Sequence, residues 1–417
     1  MQLQTILNRV ERHKSFVYGD ARIVEDGDRS TLEVPLRPRK NGRPICSGCG
    51  RTRPGYDRLP ERRFEFVPLW NIAVFFVYAL RRVNCPQCGV VAERVPWATG
   101  KQHHTTSYQR FLARWAKRIS WSEVAAVFHT TWDHVYEAVK QAVSWGVVHR
   151  EVDQVQAIGV DEIAWKKGHN YLTLVYQIDE GRKRLLWVAR ERTEESLRRF
   201  FDLVLEGHTA ALRFVCSDMW QPFIKVIAEK APTAVHVLDR FHIMALFGKA
   251  LDAIRADEAR KLAQDGYEPV LKHSRWCLLK RTENLTDRQT VRLRELLRYN
   301  LKSVRAYLQR EDFQRFWEYS TPGWAGRFLD DWCTRAARSR LEPMKKVART
   351  LRKHRELILN WFRAKGTISS GAVEGLNSKA KLALRKAYGF KNPENAEIAL
   401  YHQLGDLPEP KVTHEFC

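Results

Sequence analysis

The sequence lacks any hydrophobic run long enough to cross a membrane. The longest run, Ile72–Leu80, has nine residues, whereas a transmembrane helix needs about 20. The first residues, MQLQTILNRVERH, also lack the apolar core of a secretory signal peptide. We therefore expect a protein of a reducing, cytosolic compartment, in which the eight cysteines are not a disulfide framework. Fixed-period repeats and low-complexity segments are absent as well, which argues against a repeat protein.

Acidic residues are scarce relative to basic ones. The 417 residues include 71 Lys or Arg and 48 Asp or Glu, which gives a formal net charge of +23. Such an excess predicts a polyanionic partner, most simply nucleic acid. The alternative, a positive surface that only maintains solubility, is disfavoured because the basic residues cluster and alternate with aromatic ones. A hydrophobic content of 44% indicates a folded chain, and the length predicts two to four domains.

Four of the cysteines form two CxxC pairs, each followed by a glycine. The two-residue gap lets both thiolates of a pair reach one tetrahedral ion at about 2.3 Å, and four thiolates make a closed structural zinc site. The 35 residues between the pairs exceed the usual finger spacing, but a zinc ribbon accommodates an inserted hairpin. The alternatives are buried cysteines paired by chance and a redox-active pair. The predicted zinc ligands are Cys46, Cys49, Cys85 and Cys88.

A helix-turn-helix motif is predicted after the cysteine pairs. Tyr108–Lys117 has helical periodicity, and Trp121–Phe128 and Thr131–Val143 follow as two helices with a short break between them. In a helix-turn-helix motif the second helix enters the major groove. The alternative is an ordinary small helical bundle, which contains similar helix pairs. The candidate DNA contacts are Thr130, Thr131, Asp133, His134 and Lys140.

Strand-like runs occupy two parts of the chain. Residues 30–100 carry only short ones, such as Glu65–Val67 and Val74–Tyr78. Residues 155–238 give three strands followed by helix, strand, helix and strand, which predicts an α/β fold with a mixed sheet flanked by helices. These runs are Gln154–Val160, Tyr171–Ile178, Arg184–Ala189, Glu194–Leu205, Arg213–Ser217, Gln221–Glu229 and Ala234–Leu238.

A helical segment interrupts this alternation. From Phe241 to about Lys365 apolar residues keep helical spacing, and no convincing strand is found. Residues 335–355 hold nine Lys or Arg and one acid, Glu342. That density of positive charge exceeds what a solvated helix face needs. Because of its helical spacing and lack of strands, the segment is predicted to be an all-helical insertion.

Carboxylates follow two of the predicted strands. Asp161 comes at the predicted end of the first strand and Asp218 at the end of the fourth. Phosphodiester chemistry without a protein nucleophile usually uses two Mg²⁺ ions about 3.5–4 Å apart, held by carboxylates from separate elements. The alternative for each aspartate is a strand-end turn or a helix cap. Their joint placement favours the metal-binding interpretation.

A third carboxylate, Glu374, opens a helix after the insertion. Small residues precede it in SSGAVEGLNSKAKLALRKAY, and basic residues follow it. Its alternative role is compensation of the helix dipole in the first turn. We predict that Asn377, Ser378, Lys381 and Arg385 share its face, which would give one metal ligand followed by a basic stripe for a phosphate backbone. The basic residues predicted to contact DNA are Lys379, Lys381, Arg385 and Lys386.

These motifs resemble those of bacterial insertion-sequence transposases with a DDE triad, specifically the ISL-three family. The resemblance covers nearly the whole chain. It is most specific in the two CxxC pairs, in IGVDEIAWKKGHNYLTLVYQID, in SDMW, in VLDRFHIM and in SGAVEGLNSKAKLALRKAYGFKN. It implies a zinc ribbon and a helix-turn-helix followed by a ribonuclease-H-like catalytic core with a helical insertion.

The resemblance also implies roles for individual residues. Asp161, Asp218 and Glu374 match the catalytic triad, which binds Mg²⁺ or Mn²⁺. Asp239 and His242 match a D-x-x-H motif near the active site and are implied accessory residues. Separately, a local interpretation makes Asp239 a helix cap with an exposed histidine.

The expected domains follow from the motifs and the resemblance together. They are a zinc-ribbon domain (1–100), a helix-turn-helix domain (101–150), the first part of the catalytic core (151–255), the insertion (256–366), the final core helix (367–392) and a C-terminal segment (393–417).

The expected function is transposition of DNA. The chain would bind terminal inverted repeats of double-stranded DNA, cleave the ends by metal-dependent hydrolysis and join the 3′-hydroxyl to target DNA. Two ends must be cut together, so a homodimer or larger assembly is expected, in a bacterial cytoplasm and associated with the nucleoid. Two alternatives stay open: a ribonuclease-H-like nuclease without strand transfer, and a DNA-binding regulator with a vestigial catalytic fold.

Overall fold

The structure is a computed structural model that describes residues 3–26, 29–166, 168, 170–364, 371–387 and 389–410. It divides into two compact units, Met1–Arg150 with Ala383–Cys417, and Glu151–Leu382. One division falls after residue 150 and the other after residue 382, and all the predicted domain boundaries stay predictions. Within the described ranges, no helix has the length and apolarity that crossing a membrane requires.

The first unit opens with a short helix and a six-stranded sheet. Strands β4 and β5 form a long hairpin whose two-residue turn, Trp70 and Asn71, has positive φ at both positions, as a tight hairpin turn requires. The prediction of only short strands here is wrong. Apolar residues such as Phe64 and Phe66 alternate with charged ones, so one face of each strand is buried and the other solvated. The elements are α1 (Leu3–Val10), β1 (Phe16–Tyr18), β2 (Arg22–Asp26), β3 (Arg29–Pro38), β4 (Gly55–Leu69), β5 (Ile72–Cys85) and β6 (Gly89–Ala92).

Three capped helices follow in the same unit. The hydroxyl of Ser120 and the carboxylate of Glu123 form a reciprocal capping box at the start of the second of them. Thr131 caps the third, where its hydroxyl accepts a hydrogen bond from the backbone N–H of His134. His129 has a φ of 52°, which turns the chain sharply between these two helices. The helices are α2 (Thr106–Ala116), α3 (Trp121–Val127) and α4 (Trp132–His149).

The second unit contains a mixed five-stranded sheet, as predicted. Its order is β11-β10-β7-β8-β9; β7, β8 and β9 are antiparallel neighbours, and β10 and β11 run parallel to β7. Helices α5 and α6 pack on it through Phe200, Phe201 and Phe223. The elements are β7 (Ala157–Lys166), β8 (Asn170–Asp179), β9 (Arg182–Ala189), α5 (Glu194–Leu203), β10 (Phe214–Ser217), α6 (Gln221–Lys230) and β11 (Val235–Leu238).

One strand of this sheet is longer than predicted. The prediction that the first strand ends at Val160 is wrong, because β7 continues to Lys166. Its later residues still pair with β8, and Ile163 keeps a buried apolar side chain in the alternating pattern. Asp161 therefore lies within the strand, beyond the last residue that pairs with β10.

The described residues of the insertion form helices joined by turns, with no strand, as predicted. Its core is aromatic, with the ring of Phe313 centred 4.6 Å from that of Phe247 and 5.1 Å from that of Trp332. The helices are α7 (Arg240–Gln264), α8 (Arg275–Leu279), α9 (Asp287–Leu296), α10 (Lys302–Gln314), α11 (Pro322–Ala337), α12 (Glu342–Lys353) and α13 (Arg355–Ala364).

Two further helices follow among the described residues. Helix α14 (Gly371–Lys386) lies against β7: a Cβ at Gly159 would meet the side chain of Val373, so only glycine permits this approach. Helix α15 (Pro393–Leu404) packs on α4 in the first unit. Ser369 and Ser370, two of the small residues noted before Glu374, lie outside the described residues.

Candidate functional site

Three aspartates lie level with one another at one edge of the mixed sheet. The parallel register of β10 and β7, continued past the last pair, brings Asp218 level with Asp161. The parallel register of β11 and β10 brings Asp239 level with Asp218. Neighbouring strands are about 4.8 Å apart, so the topology gathers three carboxylates from distant parts of the chain.

Asp161 is held by a buried amide. The side-chain nitrogen of Asn377, on α14, donates a hydrogen bond to Asp161, while its oxygen accepts one from the hydroxyl of Tyr176 at 2.9 Å. Asn377 is therefore buried, whereas Ser378, Lys381 and Arg385, predicted to share the Glu374 face with it, are exposed. Asn377 faces inward because both of its hydrogen-bond partners, Asp161 and Tyr176, lie on the sheet against which α14 packs.

Asp218 is held by an arginine. One carboxylate oxygen lies 2.6 Å from a terminal nitrogen of Arg192, and the other accepts a hydrogen bond of 3.0 Å from the backbone N–H of Trp220. The Nε of Arg192 lies 2.7 Å from Glu162. Burial raises the pKa of Glu162 to about 7, with contributions from Asp218 and Asp161 that Arg192 opposes. Arg192 therefore offsets part of the negative charge at this edge.

Asp239 and His242 occupy the start of α7. Asp239 is buried and caps the helix, accepting a hydrogen bond of 2.8 Å from the backbone N–H of Phe241. This contact confirms the interpretation of Asp239 as a helix cap. The Nε2 of His242 lies 3.6 Å from Asp161, and the Asp161 carboxylate raises the pKa of His242 to about 9. One ligand atom each of Asp161, Asp239 and His242 lies within 4.8 Å of the others.

Glu374 lies in the exposed first turn of α14. Burial raises the pKa of Asp239 to about 6, and the charges of Asp161 and Glu374 add to this rise. The charge of Glu374 thus reaches Asp239. Among the described residues, the cluster of Asp161, Asp239 and His242 does not include Glu374 or Asp218.

The chemistry of this edge fits a divalent cation. The carboxylates of Asp161, Glu162, Asp218 and Asp239 lie at this edge, where Arg192 and His242 are the basic side chains that pair with them. Burial is the main cause of the raised pKa values of Glu162 and Asp239, and the charges of neighbouring carboxylates add to it. Oxygen donors of this kind are the ligands that Mg²⁺ and Mn²⁺ prefer.

The four predicted cysteines form one cluster in the first unit. Their sulfurs lie within 4.8 Å of one another, and the Cys49 and Cys85 sulfurs are 3.7 Å apart. Tetrahedral zinc with bonds of about 2.3 Å sets its sulfurs about 3.8 Å apart. Burial favours the neutral Cys85 thiol, but hydrogen bonds from the backbone N–H groups of Gln87 and Cys88 outweigh it and lower the pKa of Cys85 to about 6. The cluster is therefore compatible with zinc.

The backbone geometry around the cysteines explains why three positions there are glycine. Gly50 and Gly89 have φ values of 69° and 72°, which L-residues rarely adopt. A Cβ at Gly48 would lie 2.8 Å from the Cys88 sulfur. The chain turns tightly around the sulfurs, as the spacing predicted.

The predicted DNA contacts of the helical region differ in their surroundings. Thr131 and His134 are exposed at the start of α4, as is Asp133, and the Thr130 hydroxyl lies 3.1 Å from the His134 ring. Lys140 lies two turns further along, where its ammonium pairs with Glu394 of α15 at 2.8 Å. Their roles in DNA binding stay predictions.

The predicted basic residues of α14 differ in their solvent exposure. Lys379, Lys381 and Arg385 are exposed. Lys386 is half-buried, and burial lowers its pKa. Its ammonium lies 3.4 Å from the backbone oxygen of Lys117. These residues are predicted to contact DNA, and that role is untested.

Two residues near the aspartates were missed from the sequence: Arg192 and Glu162. Asn377 was predicted to lie on the Glu374 face, but its contact with Asp161 was not. Arg192 stands in a run of mixed charge, RERTEE, in which no spacing marks it. Glu162 follows Asp161 directly, so its proximity could have been inferred. Asn377 comes one helical turn after Glu374, the position at which a helix faces the same neighbour again.

The sheet order and the acidic edge define a ribonuclease-H-like α/β fold. A family model described as a transposase, of the DDE ISL3 type, matches residues 158–400. The chain is 30% identical over 382 residues to the transposase for insertion sequence element IS1001 of Bordetella parapertussis, across 90% of this chain and 93% of that protein. It is 30% identical over 416 residues to the transposase for IS1557 of Mycobacterium tuberculosis, across 93% and 92%. The chain belongs to the ISL-three (ISL3) family of transposases.

Replacing Asn377 with Leu is expected to lower the free energy of unfolding by about 1–3 kcal/mol, because the buried Tyr176 hydroxyl loses its acceptor. Adding Tyr176→Phe removes that hydroxyl, so the double variant should lose less than the sum of the two single losses. Urea unfolding of the four proteins gives the coupling energy. Ser378→Leu, at the neighbouring exposed position, should change stability little; an equal loss there, or additive losses in the cycle, would contradict the assigned contact.

Proposed function

We propose that this chain is a DDE transposase that binds terminal inverted repeats, cleaves the transposon ends by metal-dependent hydrolysis and joins the freed 3′-hydroxyl to target DNA. The observation that carries the proposal is the row of Asp161, Asp218 and Asp239 across three parallel strands. The charge of Glu374 reaches Asp239 in this row. Carboxylates from separate elements at one sheet edge are the arrangement that two-metal phosphodiester cleavage needs.

Asp161, Asp218 and Glu374 would hold Mg²⁺ or Mn²⁺. When bound, these ions supply a nucleophilic water at neutral pH and stabilise charge on the leaving oxygen. Asn377 orients Asp161, and Arg192 fixes Asp218 at the edge of the sheet. Asp239 and His242 act as accessory residues: Asp239 caps α7 and thereby places the His242 ring beside Asp161.

The first unit would recognise the transposon ends. Four cysteines that hold zinc would stabilise its sheet, and α4 would read the major groove through its exposed start. Lys379, Lys381, Arg385 and Lys386 would follow phosphates near the cut. Cleavage of two ends together requires a homodimer or a larger assembly on double-stranded DNA.

The proposal is tested by product analysis on a labelled duplex that carries one terminal inverted repeat, with Mg²⁺ and a supercoiled target plasmid. A transposase yields 3′-hydroxyl cuts at the repeat and joined end–plasmid molecules. Cuts without joined molecules would favour a nuclease without strand transfer. Specific binding with no cuts in Mg²⁺ or Mn²⁺ would favour a regulator with a vestigial catalytic fold.

Replacing His134 with Ala is expected to weaken binding to the inverted repeat by about 1–3 kcal/mol, the usual value of a base contact, and to leave binding to unrelated duplex unchanged. Lys381→Gln should weaken binding to both duplexes alike, because a phosphate contact carries no sequence information. Fluorescence anisotropy with the two duplexes at one salt concentration makes the comparison. Equal losses on both duplexes for His134→Ala would remove this residue from base recognition.

A further inference from the structure

Helix α12 of the insertion has two faces of opposite character. Met344, Val347 and Leu351 are buried in the insertion core, which also contains residues of α7. Lys346, Arg349 and Lys353 are exposed at spacings of three and four residues, and we call these three the α12 face. The apolar side fixes the helix, so the orientation of the α12 face is set by packing.

The positive charge of the α12 face is not balanced by paired acids. The one acid of α12, Glu342, pairs with Lys345 at 2.6 Å and acts on Lys346 and Arg349 only through its charge, without a direct ion pair. Within the described parts of the chain, the side chains of the α12 face have no ion-pair or hydrogen-bond partner. Some other basic residues of the insertion are paired, as Lys261 is with Asp257 at 2.8 Å. A face that served solubility alone would interleave acids at helical spacing in this way.

The spacing of the α12 face suits a phosphate backbone. With a rise of 1.5 Å per residue, the three side chains start along about 10 Å of helix, a length that covers neighbouring phosphates of one DNA strand. Arg338 and Arg340, exposed just before the helix, continue the positive surface. The helix sequence EPMKKVARTLRK has no Asn or Gln, the side chains that read adenine in the major groove.

We infer that the α12 face binds the phosphate backbone of duplex DNA independently of base sequence. This surface lies in the insertion and goes beyond the recognition of transposon ends proposed for the first unit. It suits DNA whose sequence is not fixed, such as flanking or target DNA. The inference does not depend on the catalytic roles of Asp161, Asp218 and Glu374.

The test compares two variants of the full chain that each lose three positive charges. One carries Lys346→Gln, Arg349→Gln and Lys353→Gln. The control carries Arg288→Gln, Arg294→Gln and Arg298→Gln, which are exposed in or just after α9 of the same insertion and have acids such as Asp287 and Glu295 nearby in sequence. Fluorescence anisotropy measures the Kd for a 25-base-pair duplex without inverted repeats, between about 50 and 200 mM salt.

The α12 variant is expected to bind at least tenfold more weakly at low salt. Its slope of log K against log salt should fall by about 2 to 3, since each lost phosphate contact removes about 0.9. The control should keep the wild-type slope. Equal changes in both variants would mean that only net charge matters, and an unchanged slope in the α12 variant would mean that this face touches no DNA; either result overturns the inference.

Two further measurements test whether the variants are folded and whether the partner of the α12 face is DNA or an acidic protein. Circular dichroism and the Tm establish that the variants are folded, and if the triple variant is not, Lys346→Gln and Lys353→Gln are measured singly, with an expected slope change of about 0.9 each. Polyglutamate binding is measured in parallel. If the α12 variant loses binding to polyglutamate but not to DNA, the partner of this face is an acidic protein, and the inference fails.

Discussion

Replacing Asp161 with Asn is expected to lower the rate of end cleavage in Mg²⁺ by about three orders of magnitude. Loss of a metal-binding carboxylate removes several kcal/mol of transition-state stabilisation, and each 1.36 kcal/mol is a factor of about ten in rate. The substitution keeps the size of the side chain, so binding of the inverted repeat should be retained. Single-turnover cleavage of a labelled end, with protein in excess, gives the rate.

The matched control for this variant is Asp179→Asn. Asp179 ends β8 of the same sheet and accepts a hydrogen bond of 3.4 Å from the backbone N–H of Gln156, the structural role that a strand-end aspartate commonly has. Its substitution should change cleavage by less than about threefold. If both variants cleave at the wild-type rate, Asp161 has only a structural role; if both lose cleavage and stability together, the sheet itself has been damaged.

Replacing Cys85 with Ser is expected to remove one zinc ion per chain and to unfold the sheet of the first unit. Structural zinc contributes about 10–16 kcal/mol of apparent binding energy in small zinc domains, more than most domains have in total stability. Zinc content is measured by chelator-linked absorbance, folding by the Tm, and function by binding to the inverted repeat. All three should fall together, because the sulfurs join both ends of the β4–β5 region to one ion.

Cys277→Ala provides the comparison for the zinc variant. Cys277 is buried in the insertion, away from the four-cysteine cluster in sequence, and its loss should cost modest stability without any change in zinc content. If variants at both Cys46 and Cys85 keep wild-type folding and specific DNA binding, the cluster is not a structural zinc site.

The elements that could be predicted from sequence are those with a strong local pattern. The two CxxC pairs predicted one cluster because a shared metal ion requires both their spacing and the glycines that follow them, and the structure brings their sulfurs together. The strands of the second unit follow apolar runs bounded by turn residues, and their order predicted the mixed sheet correctly. The helices of the insertion follow apolar periodicity, so their existence was predictable as well.

The features that were missed depend on contacts between distant residues. β7 continues past Asp161 because its hairpin partner β8 supplies hydrogen bonds, which a local apolar run does not reveal. Asn377 faces inward because Tyr176 and Asp161 lie opposite it, more than 200 residues away in the chain. Arg192 pairs with Asp218 only because the sheet order brings them together. Tertiary contacts of this kind leave no period in the sequence.

The most direct test of the catalytic assignment compares Glu374→Gln with Glu356→Gln. Both glutamates lie in the first turn of a helix, Glu374 in α14 and Glu356 in α13, so both substitutions remove the same helix-dipole interaction. Of the two, only Glu374 is a metal ligand in the proposed site. Single-turnover cleavage of an end-containing duplex in Mg²⁺ should fall by about three orders of magnitude for Glu374→Gln and stay near wild type for Glu356→Gln. Cleavage by Glu374→Gln at the wild-type rate would contradict its role as the third metal ligand.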